Sequence, residues 1–209
     1  MKKTEWKAFV IGDMFDVKRG NAKDVRQRAE GGKVALVSAI DSNNAVLGMV
    51  DPLEGDSVFP PSLTVHNNGN GVGLVFVHPY NFVATSDVSV LTMKNGEFRP
   101  YFLRFLIAAI QKQKTKFNYG YKLANNRLKK QKIMLPADEN GQPDFSFMEE
   151  YMRAIEKRLL ARYEARLAHG DNSSAKGGGV SKEKSAGKPS FWMTYSLLKQ
   201  QKVALIVIN

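Results

Sequence analysis

The feature that most constrains this chain is a change of period. From Val34 to Met93 the apolar residues come in short β-type runs, Val34 to Ala39, Ala45 to Val50, Ser62 to His66, Gly71 to Val77 and Val88 to Met93, punctuated by turn residues. From Pro100 to Lys116 the period is helical: Phe102, Phe105, Leu106, Ala109 and Ile110 recur on one face, with proline in the first turn, where its missing N–H costs nothing. A sheet-rich half followed by helices predicts an α+β (mixed α/β) fold. The 209 residues, 43% of them hydrophobic, suit one domain with a real core plus an appendage.

Around that core the chain reads in order. Trp6 to Gly20 predicts a short strand or helical turn broken at Gly12-Asp13, then a strand entering a loop; Asn21 to Gly32, polar and glycine-ended, predicts an exposed, mobile loop. His66-Asn67-Asn68-Gly69-Asn70-Gly71 supplies the positive φ of a hairpin turn. Its amides also suit base edges, since Asn pairs with adenine in the major groove, so both uses stay open. Leu123 to Lys130 predicts a second short helix with Asn125 and Asn126 as caps, and Ile133 to Leu135 a strand stopped by Pro136. After the turn-rich 138–144, Ser146 and Glu149 have the spacing of a capping box opening a helix through Leu167, roughly 30 Å long at ~1.5 Å per residue. Met148, Met152, Ile155, Leu159, Tyr163 and Leu167 form a stripe on it, suited to the core or, in part, to a docking seam for another helix. The expected boundaries are a domain over 1–143, the helix over 144–168, a low-complexity linker over 169–189 and an apolar tail over 190–209.

Charge points to the partner. The net charge is +11, and no acidic residue occurs between Glu97 and Asp138. That gap holds Arg99, Arg104, Lys112, Lys114, Lys116, Lys122, Arg127, Lys129, Lys130 and Lys132, interleaved with Phe117, Tyr119 and Tyr121. One-signed charge repels itself and is tolerated best where a polyanion lies, and duplex DNA carries about one phosphate charge per ~1.7 Å of axis. A solvated helix face is the alternative. Arg19, Lys116, Lys122, Arg127, Lys129 and Lys130 are the expected phosphate contacts; Asn67, Asn68, Asn70, Tyr119 and Tyr121 are expected in groove contact or loop support, Tyr119 equally as a core aromatic.

Other classes have little to stand on. Absence of cysteine removes disulfides and thiolate chemistry, and suits a reducing cytoplasm. His66, His78 and His169 lack recognisable metal-ligand spacing. The N-terminus lacks the apolar core of a signal peptide, and no stretch approaches the ~20 apolar residues of a membrane span. A DNA amino-methyltransferase would need an N/D/S-P-P-Y/F motif, whereas the only Pro-Pro lies in Phe59-Pro60-Pro61-Ser62. A stand-alone DNA-modifying enzyme is therefore disfavoured; a protein-interaction or inhibitory module acting through the long helix remains the rival.

The series WKAFVIGDMFDVKRG, LTVHNNGNGVGLVFVHPYNFVATSDVSVL, KFNYGYKLANNRLKKQKIMLP and PDFSFMEEYMRAIEKRL, covering Trp6 to Leu167, resembles a target-recognition domain of type I restriction-modification specificity subunits. The resemblance implies a twisted, mainly antiparallel sheet with packed helices, followed by a long conserved helix. It also implies a non-catalytic DNA-binding subunit that directs a methyltransferase and, in a restriction system, a nuclease subunit. S-adenosylmethionine, magnesium and ATP would then belong to those partners, with no cofactor in this chain. Such subunits hold two recognition domains apart on paired helices; with one of each, this sequence resembles a half-subunit whose copies would associate through Met148 to Leu167.

Overall fold

The computed structural model describes residues 4–23, 25, 27, 28, 31–68, 71–113 and 123–168. Its elements are β1 (Glu5–Val10), α1 (Ile11–Met14), β2 (Phe15–Arg19), β3 (Val34–Val37), β4 (Val46–Val50), β5 (Val58–Phe59), β6 (Ser62–His66), β7 (Val75–His78), β8 (Phe82–Ala84), β9 (Val88–Met93), α2 (Pro100–Gln111), α3 (Asn125–Lys129), β10 (Lys132–Ala137) and α4 (Phe145–Ala168). Asn70, Lys116, Tyr119, Tyr121, Lys122 and residues 169–209 lie outside the described residues.

Three sheets share the strands. The central one has the order β2-β9-β6-β7 and is antiparallel throughout; the second, β4-β3-β8-β5, contains one parallel pair, β3 with β8. β1 and β10 form a separate antiparallel ribbon, with Trp6 opposite Pro136 and Ala8 opposite Met134. The period of two along a strand explains the layering. Phe15, Val17, Leu63, Val65 and Leu91 point to one face of the central sheet and meet Phe102, Leu106, Leu128, Ile133 and Met148. Val88 and Val90 point to the other, where Ala35, Val37, Phe59, Phe82 and Ala84 of the second sheet cover them. Covered on both faces, β6 is buried at every position, while β2, at the edge, alternates. Two polar pairs inside this seam are hydrogen-bonded, which offsets the cost of burying them: Ser62 with Thr92 (3.0 Å) and Thr64 with His78 Nε2 (2.9 Å). Burial, reinforced by His66, pushes the His78 imidazole down to about 3.

α2 packs between β7, β10 and α4, which explains why its buried set, including Phe102, Leu103, Phe105, Leu106, Ile107 and Ile110, is wider than a single stripe. The start of α4 docks on it. Met148 and Met152 are fully buried and Ile155 and Leu159 half-buried against the same core, whereas Tyr163 is exposed. The seam expected from Met148 to Leu167 is thereby corrected: its first half faces its own domain, because α2 offers an apolar face within reach. Leu167 lies in α4 with its side chain outside the described residues.

Polar contacts fix the same junction. Arg99 Nε donates to Glu149 Oε1 (2.8 Å) and stacks on Phe145, and Arg104 reaches Glu156 (3.4 Å). Tyr101 donates to Glu156 Oε2 (2.7 Å) while Arg153 lies over its ring at 4.0 Å. The carboxylate that its hydroxyl donates to holds the Tyr101 phenol above the usual range, with burial adding to the shift.

Other local expectations are corrected too. Asp144, not Ser146, caps α4: its Oδ1 accepts from the Phe147 N–H (2.9 Å), leaving Glu149 to Arg99. The strand expected over Gly71 to Val77 begins only at Val75, since 71–74 complete the turn from β6. β5 and β8, too short to stand out in sequence, complete the second sheet. The described part of 21–32 is anchored rather than loose: Ala22 bridges to Thr85, and Arg28 makes a bidentate pair with Asp56 at 2.6 and 2.9 Å. Asn43, Asn44 and Ala45 all have positive φ, which delays β4 to Val46. The buried Asn44 amide, donating to Val77 O (3.2 Å), helps hold that unusual backbone.

Candidate nucleic-acid interface

One end of the molecule gathers the loops. β2 ends at Arg19 and β6 at His66, β9 starts at Val88, and registry sets Arg19 opposite Ser89 and His66 opposite Val88. β3 and β8 run parallel and finish at the same end, where Thr85 N–H donates to Val37 O and the Ser38 and Thr85 hydroxyls meet at 3.2 Å. The turn Thr85-Ser86-Asp87 is thus a hub between the two larger sheets. Arg19 Nε donates to Ser86 O (2.5 Å), Asn67 N–H to Asp87 O (3.0 Å), and Asn68 Nδ2 to Asp87 Oδ1 (2.9 Å). Gly20 crosses this turn so closely that any Cβ would collide with the carbonyls of Ala84 and Thr85.

α3 joins the same end from the helical side. Leu128 is its buried anchor, Ile11 N–H donates to Gln131 O just beyond it (2.9 Å), and Gly12 lets α1 lie against the Lys129 backbone. That anchoring turns Asn126, Arg127, Lys129 and Lys130 outward, all exposed. Among the described residues Lys129 and Lys130 have no ion-pair partner. Asn125 does not cap the helix, whose N-cap is Ala124 without a side-chain bond; instead its Oδ1 accepts from Ser89 Oγ at 2.6 Å.

Of the residues expected from sequence, the fold brings Arg19, Asn67 and Asn68 to one end, where Asn125 sets the start of α3 against Ser89, and Arg127, Lys129 and Lys130 follow on that short helix. Asn67 is corrected as a groove contact. It is 6% exposed and its amide donates to Ser86 O and Ser89 Oγ, so it supports the loop. Arg99 and Arg104 are corrected as part of the phosphate clamp, because carboxylates from α4 pair with them. Sequence reasoning missed the hub turn and Ser89. The one local sign was a hydroxyl at an inward position of an otherwise apolar strand, Val88-Ser89-Val90-Leu91.

Among the described residues no three His, Asp or Glu side chains gather as metal ligands, and no helix is long and apolar enough to cross a membrane.

Sheets and helices in this arrangement recur in solved specificity subunits. The HsdS subunit of Thermoanaerobacter tengcongensis matches with a TM-score of 0.56 over 97% of this chain and 44% of that one, at 12% identity. The type I restriction-modification S subunit of M. genitalium matches with a TM-score of 0.54 over 83% and 48%, at 16% identity. The likeness is one of fold, over a little under half of each of those chains. A sequence model of the type I restriction modification DNA specificity domain matches residues 3–165, and the chain belongs to that family. It is also 33% identical over 162 residues to the S.BcgI specificity subunit of a type II restriction enzyme from Heyndrickxia coagulans, covering 78% of this chain and 47% of that protein. The chain spans about half the length of these relatives.

Proposed function

We propose that this chain reads a DNA sequence and directs a separate methyltransferase, and in a restriction system a nuclease, to it without doing covalent chemistry itself. The observation that carries this is the convergence of Arg19, Asn67, Asn68 and the start of the cationic α3 around the 85–89 turn, in a chain of the specificity-domain family. Arg19, Arg127, Lys129 and Lys130, with Lys116 and Lys122 of the adjoining segment, supply phosphate contacts that fix register. The half-buried Asn68, with Asn70, Tyr119 and Tyr121, supplies readout or its support. S-adenosylmethionine, magnesium and ATP act on the partner subunits. Selection of randomised duplex DNA by the purified chain at two salt concentrations tests this: a short enriched motif is expected, and salt-sensitive binding without any motif overturns sequence reading by the chain alone.

The outward course of α4 supports a second element. Beyond Leu159 the helix leaves the core and residues 161–166 are exposed, Tyr163 among them. Two recognition units meet along that part, with Tyr163 and Leu167 in the contact, and read a repeated half-site. Light scattering over a concentration series is expected to show a dimer; a monomer mass at every concentration excludes self-pairing.

A further inference from the structure

The strongest unused feature is a hydroxyl inside the interface end. Ser89 is fully buried and sits in β9, whose neighbours Val88, Val90 and Leu91 are apolar core. Its hydroxyl makes two bonds in opposite directions: Oγ donates to Asn125 Oδ1 at 2.6 Å and accepts from Asn67 Nδ2 at 3.2 Å. One of those partners opens α3, the other opens the loop after β6. A serine hydroxyl has one proton to donate and lone pairs to accept with, so both bonds form together with no conflict. Alanine at 89 would leave two amides at this end without their shared partner.

We propose that Ser89 is a positioning residue that couples α3 to Asn67 and Asn68 at the end of β6, holding the two elements in one register on the DNA. This rests on the DNA-reading function proposed above and adds to it a residue that touches no base or phosphate. The bond to Asn125 is the shorter, and Asn67 is held as well by Ser86 O and Asp87 O. The apolar strand fixes the height of the hydroxyl, and hence the spacing between the helix cations and the loop amides. Phosphate contacts set register and base contacts set sequence, so loosening this link separates the two.

The test uses the full chain, with Ser89→Ala and, in case the buried change impairs folding, Asn125→Ala, which removes the same bond from the helix side. Affinity for the selected motif and for an unrelated duplex is measured alongside thermal unfolding. Expected for each variant is a roughly five- to ten-fold fall in the specific-to-unrelated ratio, the scale of one lost hydrogen bond, with unrelated binding unchanged. The double variant should lose little more than either single one. Equal weakening on both duplexes, in proportion to lost stability, or an unchanged ratio in Asn125→Ala, overturns the coupling. If the unaltered chain itself shows no motif, the reading function fails, and the inference with it. A motif kept intact by both variants removes the coupling alone.

Discussion

The arginines at the head of α2 and the cations of α3 lie in one acid-free stretch of sequence, yet the fold gives them opposite fates. Arg99 and Arg104 are paired with Glu149 and Glu156 and help clamp α4 onto the domain. Lys129 and Lys130 stand exposed and, among the described residues, without an ion-pair partner. A run of like charge therefore does not say which members face a polyanion. The fold brought in carboxylates from a helix some fifty residues away, Arg99 and Glu149 being 50 apart.

The comparison breaks most sharply at its most buried pair. Arg28 and Asp56 have side chains only 2% and 5% exposed, and the guanidinium beside Asp56 holds its carboxyl below the usual range. Asp56→Asn leaves a buried charge unmatched and is expected to cost about 3–5 kcal/mol in urea unfolding, while the folded fraction still binds DNA. At the other pole, Lys129→Ala with Lys130→Ala is expected to weaken binding some ten- to a hundred-fold on every duplex and to flatten the salt dependence by about 0.9 per lost contact. Thermal stability should hardly move, and unchanged affinity and slope would place that pair off the interface.

Acid sharpens the contrast from inside. With the folded His78 near 3 and an unfolded value near 6.5, the unfolded chain binds the extra proton, so stability falls as pH drops below about 6.5, by up to ~1.4 kcal/mol per unit. Asp56 adds its own loss only below its unfolded value of 3.8, as pH falls through its lower folded one. Denaturant unfolding between pH 5 and 8 isolates the histidine contribution, and a flat profile would mean that His78 protonates without unfolding the seam. The smallest effect belongs to the α4 clamp: Glu156→Gln keeps an acceptor for Tyr101 but loses the charge facing Arg104, for about 1 kcal/mol. Its DNA salt slope should match the unaltered chain, whereas a shift would return Arg104 to the interface.

The α+β class, the helix after Pro100, the short helix ending near Lys130 and the long final helix were legible because each rests on periodicity or turn chemistry within a few residues. β5 and β8 were not, since strands of 2 and 3 residues exist only through their neighbours' hydrogen bonds. The candidate site is proposed by residue type, and its arrangement was illegible. Arg19 and the α3 cations are proposed as phosphate contacts on charge alone, but nothing local separated Asn67, turned inward to Ser89, from Asn68 beside it.

By itself the sequence determined the helices and the longer strands and that the chain carries an excess of positive charge, because both are sums over local chemistry. Only the tertiary structure decided which cations meet a carboxylate, which face of α4 is core, and that Ser89 ties α3 to the loop. Those outcomes depend on distances between residues 22 to 52 positions apart, set by sheet registry and helix docking rather than by any local pattern.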